Sequence, residues 1–342
     1  MKFLLTAINA KFIHSNPAIY SLRAGVGEKL QPYVELAEFT INESPESILE
    51  GIWKRQPKVI GFSCYIWNWK LIREILTELP KILPDTEIWL GGPEVTYDGP
   101  GLLREFPQVT GIMVGEGEVT FREVLDHYVR EAESTGQSEQ QPEPDRIEQQ
   151  AADRAGTVAG KSVAERFGQI PGLCLASGYT APRELTDLTT LPFLYEDMEP
   201  FTNRIIYYET SRGCPYRCSY CLSSIDKKVR LRDIDVVKRE LQFFLDQNVK
   251  QVKFIDRTFN CDHKHAMEIW RYIYEHDNGV TNFHFEISAD ILREEEIALL
   301  NRFRPGLAQL EIGVQSTNPE TIRAIHRVMD VDKLEKIVAA IH

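Results

Sequence analysis

Short apolar runs recur along residues 1–130, separated by stretches whose apolar side chains fall at helical spacing. Residues 2–8, 36–41, 59–63, 87–90 and 111–114 read as strands, while 18–30, 45–55, 67–79 and 121–128 read as helices. The third strand gives way to Ser63, the fourth to Gly91-Gly92-Pro93 and the fifth to Gly115-Glu116-Gly117-Glu118. Strands alternating with helices predict a Rossmann-like, doubly wound α/β sheet. Ligands of such sheets bind at the carboxyl ends of the strands, where these glycines lie.

The pattern then breaks. Residues 131–166 contain no aromatic side chain, and their aliphatics thin out among Gln, Glu, Ser and Pro. Such a stretch buries too little apolar surface to offset its ordering entropy, so 131–168 is expected to be a flexible polar insertion. Residues 169–203 form a connector, with structure resuming at 170–175 and an extended run over 185–200. From residue 204 the alternation restarts: strands over 204–209, 251–256, 282–288 and 307–314, helices over 236–246, 265–275, 294–302, 320–327 and 332–342. Four parallel βα units predict an open sheet or part of a (β/α) barrel, with the chemistry at the strand carboxyl ends.

Charge narrows the function. Thirty-nine Lys and Arg against 51 Asp and Glu give a net −12 over 342 residues, a surface that repels phosphate backbones, so no nucleic-acid partner is expected. No apolar run approaches the ~18 residues of a membrane span, and residues 1–8 are too short for a signal-peptide core. A cytoplasmic location is the expectation.

Six cysteines in a chain of this kind do not suggest a disulfide scaffold. Cys64, Cys174 and Cys261 stand apart, whereas Cys214, Cys218 and Cys221 share one loop, Gly213-Cys214-Pro215-Tyr216-Arg217-Cys218-Ser219-Tyr220-Cys221. Three thiolates at C-x3-C-x2-C spacing wrap one inorganic centre and leave a coordination position open, as catalytic metal sites require. A [4Fe–4S] cluster fits that donor set. A structural zinc remains open, as does a closed site in which Cys261 supplies a fourth thiolate.

The loop resembles the signature of the radical S-adenosylmethionine (SAM) superfamily, C-x3-C-x-aromatic-C, with Tyr220 as the aromatic. The resemblance implies Cys214, Cys218 and Cys221 as ligands of a [4Fe–4S] cluster whose free iron chelates S-adenosylmethionine. Electron transfer then yields a 5′-deoxyadenosyl radical, with a reducing partner such as flavodoxin or ferredoxin. It further implies that Asp256, in Phe254-Ile255-Asp256-Arg257-Thr258-Phe259, receives the methionine amino group. Glu286 and Ser288, in Phe285-Glu286-Ile287-Ser288, and Glu311 and Gln315, in Glu311-Ile312-Gly313-Val314-Gln315-Ser316, join Tyr220 and Asp256 as SAM-binding candidates. The family barrel has six βα units and a Gly-rich fifth-strand segment at adenine. With four units here, the expectation is a fragment or a barrel closed by a partner.

The first domain resembles the cobalamin-binding domain fused ahead of many radical enzymes. That likeness rests on Gly61-Phe62-Ser63, Gly91-Gly92-Pro93-Glu94 and Gly115-Glu116-Gly117, where small residues admit a flat corrin and its tail. Asn9, His14, Ser63, Tyr65, Gly91, Gly92, Pro93, Glu94, Gly115, Glu116 and Gly117 are the implied cobalamin contacts. The cobalt-ligating D-x-H-x-x-G is missing, and His14 lies nearby at another spacing. Tyr65, Trp67 and Trp69 form an aromatic patch that packs on a corrin or fills the core.

The whole sequence is most similar to a bacterial subgroup of B12-binding radical SAM proteins. This implies a cobalamin-dependent radical SAM enzyme performing methyl transfer to an unactivated carbon or phosphorus, or another radical rearrangement, on an unspecified substrate. A non-catalytic iron–sulfur or corrinoid-binding protein is the alternative. A tRNA methylthiotransferase would need three cysteines in the first domain, where only Cys64 precedes residue 174.

Overall fold

In the first half of the chain, odd and even strand positions carry apolar side chains to opposite faces of one sheet. Strands β1 (Phe3–Asn9), β2 (Val34–Thr40), β3 (Val59–Ser63), β4 (Glu87–Gly91) and β5 (Val109–Met113) are parallel, and they alternate with helices α1 (Pro17–Gly25), α2 (Pro45–Trp53), α3 (Trp69–Ile82), α4 (Gly99–Glu105) and α5 (Gly117–Ser134). Leu4, Ile8, Ile60, Phe62, Ile88 and Leu90 pack with Ile48, Ile52, Ile72 and Ile75 of α2 and α3. Phe3, Leu5, Ala7, Trp89 and Met113 pack with Ile19, Phe121, Val124 and Leu125 of α1 and α5. Two apolar faces require two helix layers, which is the doubly wound arrangement the periodicity predicts.

This is a computed structural model, and it describes residues 1–134, 157–158, 161–226 and 228–341. The chain divides into one unit of Met1–Thr186 with Pro192–Met198 and another of Asp187–Leu191 with Glu199–His342. After α5 come α6 (Val163–Phe167) and an antiparallel hairpin, β6 (Leu173–Leu175) with β7 (Gly178–Tyr179). The sheet order is β2-β1-β3-β4-β5-β6-β7, so the hairpin covers an edge of the sheet that would otherwise stay open.

The polar insertion is therefore shorter at both ends than its composition predicts. Helix α5 runs on to Ser134, and α6 is anchored by buried Arg166 and Phe167. Phe167 meets Trp89 edge-on at 5.1 Å. Two anchoring side chains leave almost no trace in a composition average. The core of the expected insertion, 135–156, lies outside the described residues.

The second unit has four parallel strands in chain order, β8 (Ile206–Tyr208), β9 (Gln251–Phe254), β10 (Asn282–Ile287) and β11 (Ala308–Ile312). Helices α7 (Ile234–Asp246), α8 (His263–Glu275), α9 (Glu294–Leu300), α10 (Pro319–Ala324) and α11 (Val331–Ile341) intervene or follow. Strand order equal to chain order is the start of a (β/α) barrel. Tyr208, Phe254 and Phe285 join Phe244 of α7 and Trp270 of α8 in one aromatic core, with centroids 4.5 Å apart for Phe254–Phe285 and 5.4 Å for Tyr208–Phe244. The alternate positions are polar. Tyr207, Lys253, His284 and Gln309 stand in register across the strands, with Glu286 opposite Glu311 one step further along.

Candidate functional site

The cysteine loop departs from the carboxyl end of β8. Ser211–Arg212 pairs antiparallel with Arg230–Leu231 and closes the loop at its base. Gly213 has φ +96°, and a Cβ there would lie 2.4 Å from the Lys228 carbonyl oxygen, so only glycine fits. The Cys214 amide donates to the Asp226 carbonyl at 3.0 Å, and that of Ser219 donates to the Ile325 carbonyl at 2.9 Å. The loop is thus tied both to its own return limb and to the segment after α10. Cys214 and Cys218 are buried, while Cys221 is half-buried.

Among the described residues no three Cys, His, Asp or Glu side chains converge tightly enough to hold a single ion. A tetrahedral zinc with bonds of about 2.3 Å needs thiolates about 3.8 Å apart. Thiolates that each hold a separate iron of a four-iron cube stand further apart than that. Three thiols on one loop supply the cube's donor chemistry. Cys261 lies at the neighbouring turn, its amide donating to the Thr258 carbonyl at 3.0 Å. Burial, reinforced by Cys214, pushes the Cys261 thiol up to about 11.

Two residues that sequence reasoning passed over touch the thiols. Thr258 Oγ1 is 3.5 Å from Cys214 Sγ. An Arg327 guanidinium NH₂ group approaches Cys218 Sγ at 3.9 Å, while the other donates to the Gly313 carbonyl. Arg327 Nε is buried and has no acceptor. A cation beside an expected thiolate, with a donor still unspent, is arranged for an anionic ligand group. Neither residue belongs to the loop motif, and only the fold brings them to it.

The SAM-binding candidates separate into distinct settings. Tyr220 is 53% exposed at the loop tip; what burial it has, with Cys218 beside it, raises its phenol. Gln315 is exposed in the left-handed region at φ +64°, a strained conformation for a non-glycine residue at a strand's carboxyl end. Glu286 and Glu311 share Lys253, whose Nζ lies 3.7 and 3.0 Å from them, and Glu311 also meets His284 Nε2 at 3.0 Å. Ser288 is buried: its hydroxyl donates to Asp290 at 2.7 Å and its amide to the Asn260 side chain at 3.0 Å.

Asp256, expected to receive an amino group, is 1% exposed. Its oxygens already accept from Thr210 N at 3.0 Å, Thr210 Oγ1 at 2.6 Å and Ser211 Oγ at 2.6 Å. The carboxylate is thus turned back onto the strand exit.

In the first unit a cavity of about 350 Å³ opens at the carboxyl ends of β3, β4 and β5, against α1 and α5. Ser63, Tyr65, Gly91, Gly92, Pro93, Gly115 and Gly117 line it, together with Glu118 of the same strand-end motif and with Ala18 and Thr96, which sequence reasoning passed over. Gly92 has φ +111°, and a Cβ there would sit 2.5 Å from the Cys64 carbonyl oxygen. Asn9, His14, Glu94 and Glu116 do not line the cavity. The Asn9 amide instead donates to the His14 carbonyl at 3.0 Å and to Glu38 at 2.8 Å. Glu116 accepts from Thr186 N at 2.7 Å, and the Glu94 amide reaches the Cys64 carbonyl at 3.4 Å.

The aromatic patch divides. Tyr65 and Trp67 stack at 4.4 Å, while the half-buried Trp69 packs edge-on to Phe106 against the core. Ile66, Trp67 and Tyr97 stand exposed on turns that follow β3 and β4. An apolar slot with glycine walls and an apolar rim suits a flat ligand with a side arm.

Residues 4–125 match the B12 binding domain family, and residues 208–342 match the radical SAM superfamily. The chain thus joins a region that matches the B12 binding domain family to a region that matches the radical SAM superfamily. It is 26% identical over 233 residues to a 2-(S-pantetheinyl)-carbapenam-3-carboxylate methyltransferase of Streptantibioticus cattleyicolor, covering 64% of this chain and 30% of that protein. It is 28% identical over 215 residues to the cobalamin-dependent radical SAM methyltransferase TokK of Streptomyces tokunonensis, covering 60% of this chain and 28% of TokK. The chain therefore spans about a third or less of the length of these relatives.

Solved structures share the fold. The radical SAM methyltransferase TsrM from Kitasatospora setae aligns with TM-score 0.67 at 18% identity, over 98% of this chain and 65% of that one. The cobalamin-dependent SAM radical enzyme OxsB aligns with TM-score 0.70 at 16% identity, over 99% and 47%.

Proposed function

We propose that this chain forms the cobalamin- and SAM-binding part of a cobalamin-dependent radical SAM methyltransferase acting in the cytoplasm. The observation that carries the reading is the cysteine loop: three thiols on one turn, with the Arg327 guanidinium beside the second. When bound, a [4Fe–4S] cluster supplies the electron for reductive cleavage of SAM, and cobalamin supplies a carrier for a methyl group.

The chain's own residues bind and orient. Cys214, Cys218 and Cys221 hold the cluster and leave one corner for the amino and carboxylate groups of SAM. Arg327 donates to the SAM carboxylate, and Tyr220 and Gln315 border the adenosine. Glu286, with Lys253 Nζ 3.7 Å from its carboxylate, is a further candidate at the strand ends. Glu311 and Ser288 keep their partners and act on the shape of the strand ends. In the first unit the cavity would hold part of cobalamin, and the stacked Tyr65 and Trp67 beside it would offer the cofactor an apolar surface. A low-potential one-electron donor of the flavodoxin or ferredoxin type completes the cycle.

The relatives named above are methyltransferases by name, which favours methyl transfer over rearrangement. Methylthiotransferases also figure among the similar proteins. Both cysteines of this chain's first unit, Cys64 and Cys174, are however buried within its core, and burial holds the Cys64 thiol strongly protonated. A second cluster has no donors there.

Two variants test the halves separately. Ala18→Trp fills the cavity, so it is expected to abolish the retained corrin absorbance after incubation with hydroxocobalamin while iron content stays at the wild-type level. Retention of corrin by that variant would remove the cavity from the account. Arg327→Leu is expected to weaken SAM binding by about tenfold to hundredfold, the worth of a charge-assisted hydrogen bond. Unchanged affinity by isothermal titration on the reconstituted chain would place the carboxylate elsewhere.

A further inference from the structure

We infer that Asp256 is a positioning residue for the cysteine loop: acting through Thr210 and Ser211, it fixes the strand exit from which the Cys214 thiolate departs, with His265 held as its Nε2–H tautomer behind it. The inference rests on the reading of that loop as a cluster site and assigns Asp256 a task other than touching SAM.

Burial raises the Asp256 carboxyl, while the Ser211 and Thr210 donors oppose that shift; with Asp256 ionised, the proton inventory of the network allows one arrangement. Asp256 accepts at one oxygen from the Thr210 amide at 3.0 Å and at the other from the Thr210 and Ser211 hydroxyls, each at 2.6 Å. A hydroxyl carries a single proton, and the carboxylate takes the one on Thr210. His265 Nε2 lies 3.2 Å from that same oxygen, so it must be the donor, and the ring carries its proton on Nε2. The result is a directed chain from His265 to Thr210 to Asp256, with Ser211 converging on the same carboxylate. All four side chains are buried, where hydrogen bonds between them strengthen one another. Burial lowers the basicity of the imidazole, in keeping with a neutral ring that donates from one nitrogen.

The placement gives the network its purpose. Thr210 and Ser211 directly precede the Arg212-Gly213-Cys214 step, at which the chain turns with φ +96° at Gly213. Thr258, two residues beyond Asp256, sets its hydroxyl 3.5 Å from Cys214 Sγ. The segment after β9 therefore packs against both the approach to the first cysteine and its sulfur. His265, in the first turn of α8, is fixed in turn by Asp262, which caps that helix and accepts from the His265 amide at 2.9 Å. One loop, one strand end and one helix start are joined through a buried carboxylate.

The test compares Thr210→Val, which keeps the shape and loses the hydroxyl, with Thr210→Ser, which keeps the hydroxyl. Imidazole nitrogen NMR on the apo chain, with His265→Gln for assignment, reads the tautomer without any cofactor. The expected result is Nε2–H in the wild type and in Thr210→Ser, and a shifted Nε2 resonance in Thr210→Val. The second readout is the rate of iron loss to a chelator from the reconstituted chain. Thr210→Val is expected to lose iron about tenfold faster, in proportion to one charge-assisted hydrogen bond, and Thr210→Ser is expected to match the wild type.

A wild-type rate in Thr210→Val, equal impairment of both variants, or an Nδ1–H tautomer would overturn the inference. A wild-type chain that retains no iron would instead overturn the cluster reading and the positioning role with it. The tautomer result would then still report on the network alone.

Discussion

Alanine at any one of Cys214, Cys218 or Cys221 is expected to take iron from about four atoms per anaerobically reconstituted chain to near zero. Two thiolates do not close around a cube, and no further ligand on the loop compensates. The fold should survive. Removing one buried sulfur costs on the order of 1 kcal/mol, small beside the roughly 5–15 kcal/mol that holds a domain together. Circular dichroism of the three variants should therefore superimpose on the wild type. Cys64→Ala and Cys174→Ala alter core positions of the other unit and should leave iron untouched. Cys261→Ala is the informative control: iron retained supports three ligands with an open corner, whereas iron lost makes the site a closed one of four.

The second large effect lies in the first unit. Arg166→Met is expected to destabilise it by about 3–5 kcal/mol, the usual cost of breaking a buried ion pair from one side. The Arg166 side chain is only 2% exposed, and its guanidinium reaches Glu87 at 2.9 Å and Glu131 at 2.8 Å. Tyr128 donates to the same Glu87 at 2.6 Å and itself accepts from Trp89 Nε1 at 2.9 Å. Without the arginine, the Glu87 carboxylate loses its cationic partner at a side chain that is only 15% exposed. Pairing Arg166→Met with Glu87→Gln should restore part of the loss, since the buried charge then goes as well. Urea unfolding of the two variants measures this, and a single-variant effect below about 1 kcal/mol would show that the pair is not what anchors α6.

Much of this could be read along the chain. Alternating apolar runs located the parallel strands of both sheets to within a few residues, because strands with a buried face leave a recurring apolar signal. Glycines marked the cavity walls at Gly91, Gly92, Gly115 and Gly117; positive φ favours glycine at Gly92 and Gly115, and at Gly92 a Cβ would also strike the Cys64 carbonyl. The cysteine loop announced itself by spacing.

What stayed hidden depends on contacts between distant segments. Arg327 lies 109 residues beyond Cys218, and no local pattern joins them. Asp256 looked like a carboxylate presented at a strand end, and its orientation back onto Thr210 follows from packing alone. The hairpin of β6 and β7 and the anchor at Arg166 sit beside a polar stretch whose composition masked them. Asn9 and His14 occupied a plausible strand end, yet the Asn9 side chain serves the loop's own backbone.

The central claim is a four-iron cluster with one iron open to SAM. The measurement that tests it most directly is the electron paramagnetic resonance of the reduced, reconstituted chain recorded with and without S-adenosylmethionine. A reduced [4Fe–4S] signal whose g values move when SAM is added is the predicted result. Zinc in place of iron, or a cluster signal indifferent to SAM, would contradict it.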